Sequence, residues 1–70
     1  MSNKDVKAYF LQAMIDFAQE KGISKNVATS LMTKCLKHIP YTDPIVQHIG
    51  PQYYAYQILI QKHLVPFIPL

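Results

Sequence analysis

Phe17-Ala18-Gln19-Glu20-Lys21-Gly22-Ile23-Ser24-Lys25-Asn26-Val27-Ala28-Thr29-Ser30-Leu31-Met32 is the stretch on which the reading of this chain turns. It has the pattern of one helix ending, a tight turn, and a second helix beginning. Gly22 accepts the positive φ that ends a helix without a Cβ penalty. Ser24 is placed to cap the next helix through its hydroxyl. Ala18 is small enough to let two helices cross closely. Ala28 and Leu31 are three apart, share one face of the second helix, and can pack back on the first.

These residues resemble a helix-turn-helix, the DNA-reading motif of many small regulators. The resemblance covers residues 17–32 and rests on small Ala18, Gly22 four residues on, apolar Ile23, Ser24, small Ala28 and Leu31. Lys21 departs from the pattern, which usually has a small or apolar residue before the glycine. The resemblance implies that the outward face of the second helix enters the major groove of DNA.

Outward from this stretch, Ser2 and Asp5 have capping-box spacing at the start of the chain, with the shorter acid. The first helix is expected over about 3–21. Val6, Phe10, Met14, Phe17 and Ala18 give it an apolar stripe at helical spacing. Leu11 and Ile15 widen that stripe well beyond the needs of a surface helix. Gln12, Asp16, Gln19 and Glu20 form its wet face, and Tyr9 lies at the boundary.

The second helix is expected over about 25–38, stopped by Pro40. Val27, Ala28, Leu31, Met32, Cys35, Leu36 and Ile39 fill one half of its wheel. Asn26, Thr29, Ser30, Thr33, Lys34 and Lys37 fill the other. This polar half contains no acid, whereas an ordinary solvated face mixes both signs. Its amide, hydroxyl and ammonium groups are those that contact bases and phosphates.

Thr42 or Asp43, followed by Pro44, signals a short third helix over 44–49. Ile45, Val46 and Ile49 are its expected inward residues, and Gly50 closes it. Pro51 opens a fourth helix, expected to about Leu64. Tyr53, Tyr54, Ala55, Tyr56, Ile58, Leu59, Ile60 and Leu64 make that helix apolar nearly all round. A helix of this kind is central to a core or half buried in another subunit. In a chain of 70 residues the second account is the simpler one. The tail, 65–70, is apolar to its last residue, and its prolines favour an extended arm.

The bulk numbers set the frame. Seventy residues allow one small domain with a marginal core, and half of them are hydrophobic, which excludes disorder by composition. The formal charge is +3 and the pI about 9.1, compatible with nucleic acid. All seven basic residues are lysine. The absence of Arg counts against strong guanine readout. Cys35 is alone, which rules out an intramolecular disulfide. No signal peptide and no apolar run of membrane-spanning length is visible. The chain is expected to be cytoplasmic, with no membrane partner.

Chemistry other than binding finds little support. His38, His48 and His63 sit on three different elements without metal-ligand spacing. Cys35 falls in the middle of an apolar helix face and reads as a core thiol. Asp5, Asp16, Glu20 and Asp43 include no catalytic pair, and there is no Gly-rich phosphate loop. Tyr53, Tyr54 and Tyr56 are aromatic enough to stack unpaired bases. Only Lys62 is near them in sequence, so they read as core or interface residues.

The expected fold is all-α: a single helical domain over 1–70, a small bundle of three to four helices with a helix-turn-helix-like pair. The leading expectation is a DNA-binding regulator acting as a homodimer on double-stranded DNA. Ser24, Lys25, Asn26, Thr29, Ser30, Thr33, Lys34 and Lys37 would face the DNA. Tyr53, Tyr54, Tyr56, Ile58, Ile60, Leu64, Phe67 and Ile68 would form the dimer contact. The competing expectation is an adaptor or inhibitor that binds a protein partner through those same C-terminal residues. Neither expectation involves an enzyme, a metal or a cofactor.

Overall fold

The computed structural model describes residues 3–64. Four α-helices follow one another: α1 (Asn3–Glu20), α2 (Lys25–Leu36), α3 (Pro44–Ile49) and α4 (Pro51–Gln61). No strand occurs among the described residues. The fold is the small all-α bundle that the periodicity predicts. The expected capping box at Ser2 and the tail with Phe67 and Ile68 lie outside the described residues.

α1 is the middle of the bundle, with α4 packed on it and α2 packed on it as well. That arrangement accounts for its wide apolar stripe. Met14 and Ala18 are fully buried, with Phe10 and Ile15 nearly so. Phe10 meets Tyr54 of α4 at 6.0 Å between ring centroids, and Phe17 meets Tyr56 edge-on at 6.3 Å. Leu11 borders α2 instead, beside Thr33 and Leu36. α3 is a short strut that packs on α4.

The turn between α1 and α2 is built by hydrogen bonds that the sequence foreshadows. Gly22 has φ +92. Its N–H donates to the Gln19 carbonyl at 3.0 Å, and the Ile23 N–H donates to the Ala18 carbonyl at 3.0 Å. These two bonds are the paired 5→2 and 6→1 closures of a Schellman cap. Ile23 then packs against the core, the apolar contact that accompanies such caps. Ser24 is the N-cap of α2, its hydroxyl oxygen accepting from the Val27 N–H at 3.4 Å. Ala18 and Ala28 are both fully buried where α1 and α2 meet, so the absence of longer side chains sets the approach of the two helices. Lys21, the departure from the motif, lays its ammonium over the Phe17 ring at 5.3 Å from the centroid. A cation–π contact gives that lysine a local reason to be there.

The structure moves three groups of residues from where the sequence pattern puts them. Val27 is half exposed rather than inward, because it stands at the edge of α2's first turn, outside the Ala28–Met32–Leu36 stripe. In α3 only Val46 is buried, and Ile45 and Ile49 face outward. A helix of six residues packing on one neighbour has a single inward position to offer. α4 ends at Gln61, short of Leu64, because His63 adopts φ +58 and closes the helix as a glycine would. The His63 N–H donates to the Ile60 carbonyl at 3.0 Å and the Leu64 N–H to the Leu59 carbonyl at 2.9 Å.

Candidate nucleic-acid interface

α2 presents Lys25, Asn26, Thr29, Ser30, Thr33, Lys34 and Lys37, every one exposed, and Ser24 at its cap is exposed too. All eight residues assigned to DNA by sequence therefore lie on one accessible element. Asn26, Ser30, Thr33 and Lys37 follow at i, i+4, i+7 and i+11, so they form a continuous stripe. That stripe runs along the side turned away from the buried Ala28, Met32 and Leu36. Ser24 is partly committed, since its oxygen already accepts from the Val27 N–H; its hydroxyl proton stays available to an anion.

Two shallow grooves border this face, and each is lined by a lysine from outside α2. The first lies between α1 and α2 and is lined by Lys7, Leu11, Thr33, Leu36, Lys37 and Tyr41. The second lies between α2 and the end of α4 and is lined by Asn26, Val27, Ser30, Leu31, Lys34, Lys62 and Leu64. Neither groove has an acid on its walls. Asp16 and Glu20 sit on the solvent face of α1, where Asp16 accepts from the Gln12 amide at 2.9 Å. Asp43 is the cap of α3 and accepts from the Ile45 N–H at 2.8 Å. Lys7 and Lys62 went unassigned in the sequence because no local pattern ties them to α2. Their place depends on how α1 and α4 pass it.

The C-terminal residues expected at a dimer or partner contact are dispersed by the fold. Ile58 is buried in the core of the single chain and is closed to a partner. Tyr54, Tyr56 and Ile60 are half buried, the two tyrosines against Phe10 and Phe17 of α1. Tyr53 and Leu64 remain exposed; Tyr53 stands edge-on to Tyr54 at 5.3 Å. α4 is apolar nearly all round because α1 offers two broad aromatic contacts to it, and so a second subunit is not required to cover it. The exposed large apolar side chains lie elsewhere: Tyr9, Val27, Ile45 and Ile49 join Tyr53 and Leu64. Tyr9 and Ile49 line one groove, between the first half of α1 and the α3–α4 junction.

Comparison with protein-family models, with curated proteins and with solved structures found no match.

Cys35 is a free, half-buried thiol. The sequence pattern placed it deeper, in the middle of α2's apolar face. It lines a groove with His38, Ile39, Tyr54 and Gln57 because α2 and α4 both lean on α1 and pack little on each other. His38, His48 and His63 are all exposed. Among the described residues no three His, Cys, Asp or Glu side chains group as a metal site. Nor is any helix among them long and apolar enough to cross a membrane.

Proposed function

We propose that this protein is a small helix-turn-helix DNA-binding regulator that acts as a homodimer, with α2 as the helix that enters the major groove. One observation carries the proposal. The exposed polar face of a Ser-capped helix, set off from α1 by a glycine turn and bordered by Val27, consists of hydroxyl, amide and ammonium groups without an acid. Base edges accept and donate hydrogen bonds to such groups, and phosphates attract the ammonium groups. Asn26 suits adenine, to which an amide can bond twice. Thr29, Ser30 and Thr33 face other base edges, and Lys25, Lys34 and Lys37 face phosphate with the Ser24 hydroxyl. No catalysis and no cofactor belong to this function.

A module this small makes few phosphate contacts, so two half-sites are needed for useful affinity. The residues we assign to the contact between two copies are Tyr9 and Ile49, which share a groove, and Ile45 and Tyr53, which are exposed apolar side chains on α3 and α4. They replace the inward-facing part of α4 in that role.

A second proposal is favoured by the same exposed residues: an adaptor that binds another protein through Tyr9, Ile45, Ile49 and Tyr53. A gel shift with random-sequence duplex DNA at low and at moderate salt separates the two. The DNA-binding proposal expects a shift at low salt that weakens steeply as salt rises. No shift at low salt would leave the adaptor proposal standing alone.

A further inference from the structure

We propose that the groove between α1 and α2 is a binding site for a small monocarboxylic acid with an unbranched apolar body, of the class of the medium-chain fatty acids.

Three parts of the chain line this groove: Lys7 and Leu11 of α1, Thr33, Leu36 and Lys37 of α2, and Tyr41 from the connection to α3. These residues sort by depth. Leu36 is buried and Leu11 and Tyr41 are half buried, whereas Lys7, Thr33 and Lys37 are exposed. The floor is therefore apolar and the rim cationic. Each helix supplies one leucine and one lysine, and Lys7 and Leu11 share a face of α1 because they are one turn apart. The end wall is tied down by hydrogen bonds. The Tyr41 N–H donates to the Ile39 carbonyl at 2.8 Å, and the Tyr41 carbonyl accepts from the Gln47 side-chain amide at 3.1 Å. Tyr41 also packs against the core.

Floor and rim ask for the two ends of one ligand. Ammonium groups and a hydroxyl proton bind an anion, and no acid stands on the walls to compete for them. The flexible lysine stems let cations from two helices close on one carboxylate. The apolar surface beneath them gains from covering by a hydrocarbon body. Inorganic phosphate has no such body and would leave the floor wet. A phospholipid carries two long chains, too much for a groove of about 290 Å³, the small end of ligand sites. An amine would be repelled by both lysines. The other lysine-lined groove, between α2 and the end of α4, lacks this depth, since Leu31 is its one member that is not exposed. Thr33 and Lys37 also belong to the face proposed for DNA. The carboxylate site needs only its three walls and stands whether or not α2 meets DNA.

The test is a titration of the full chain with sodium octanoate, followed by two-dimensional amide NMR. We expect the backbone amides of Leu11, Thr33, Leu36 and Tyr41 to shift together and to saturate. Hexanoate, two CH₂ groups shorter, should bind about three- to tenfold more weakly. Acetate, octan-1-ol and octylammonium should each bind more weakly than octanoate, the first for want of a body and the others for want of a negative charge. Lys7→Gln and Lys37→Gln should each weaken octanoate binding about two- to fivefold, the range for an exposed ion pair. Lys21→Gln, a change at an exposed lysine outside this groove, should leave it unchanged.

An octanoate titration without saturable shifts at those four amides would overturn the site. Octan-1-ol binding as tightly as octanoate would overturn it too, since the groove would then be an apolar patch without an anion seat. So would folded Lys7→Gln and Lys37→Gln variants that both keep the wild-type affinity, or a loss in Lys21→Gln equal to theirs. Shifts of the same four amides with inorganic phosphate or duplex DNA, but not with octanoate, would reassign the lysines to phosphate and overturn the carboxylate site.

Discussion

Gly50 does two tasks within one residue. It is the C-cap of α3 and the N-cap of α4, with φ +98 and ψ 156. That region of backbone space is essentially closed to any residue with a Cβ. A Cβ at Gly50 would meet the Gln52 side chain only at ordinary contact distance, 3.5 Å, so the penalty is conformational rather than steric crowding. Gly50→Ala should lower stability by about 1–3 kcal/mol in a urea melt. An unchanged midpoint would show that the α3–α4 junction relaxes freely. His63 is the opposite case, a bulky residue at φ +58 where glycine would be at ease. His63→Gly should stabilise the fold by up to about 1 kcal/mol, the αL strain less glycine's entropy. A lower melting temperature would mean that the imidazole makes contacts worth more than the strain. The contrast explains what could be read at this scale. Gly22, Ser24, Asp43 and Gly50 announce their positions by residue type. His63 ends a helix by conformation alone, and so α4 reads three residues too long.

Packing between elements is set by where small residues allow approach. Ala18 and Ala28 are completely buried at the α1–α2 crossing, and Ala55 is completely buried in α4. Ala18→Leu should overpack that crossing and cost about 1–3 kcal/mol, or displace α2 from α1. A variant that melts at the wild-type temperature with α2's amide protection unchanged would show a gap there. The width of α1's stripe, with Leu11 and Ile15 added to Phe10, Met14 and Phe17, already told that this helix has two neighbours. It did not tell which neighbours. α4 was therefore left without a home in the chain's own core, and its apolar girth pointed to a partner. The tyrosines resolve this, since Tyr54 and Tyr56 reach the two phenylalanines of α1 on either side of Met14. Ile45 and Ile49 went the other way because helical spacing records which residues share a face, not whether anything covers it.

At the scale of the whole molecule, the lysines of α2 and the groove holding Tyr9 and Ile49 lie on different elements, while Val27 and Leu64 border the lysines. The lysines of α2, joined by Lys7 and Lys62, surround one face. Tyr9 and Ile49 share a groove at the α3–α4 junction, formed with the first half of α1. We expect sedimentation at micromolar concentration to give at least twice 8.1 kDa. Tyr9→Ser with Ile49→Ser should return the protein to a monomer, since each exposed apolar side chain removed weakens a contact driven by burial. A wild-type monomer would remove the dimer from the account, and a double variant that stays dimeric would place the contact elsewhere. The polar face of α2 was legible from the sequence because a 12-residue helix keeps its period throughout. The lysines that flank it were not, because they arrive from positions 7 and 62 only when the bundle closes.

The claim that α2's polar face reads bases meets its most direct test in one triple variant, Asn26→Ala with Thr29→Ala and Thr33→Ala. All three side chains are exposed, and alanine is the better helix former, so the fold should hold. A duplex selected by the wild-type protein from a random pool is titrated beside a scrambled duplex at one salt concentration. Each good base contact is worth about 1–3 kcal/mol, so the triple variant should lose most of the discrimination between the two duplexes. Its weak binding to the scrambled duplex should survive, because every lysine remains. A folded triple variant that still discriminates as the wild type does would contradict the account, and the surface that recognises DNA would have to lie off α2.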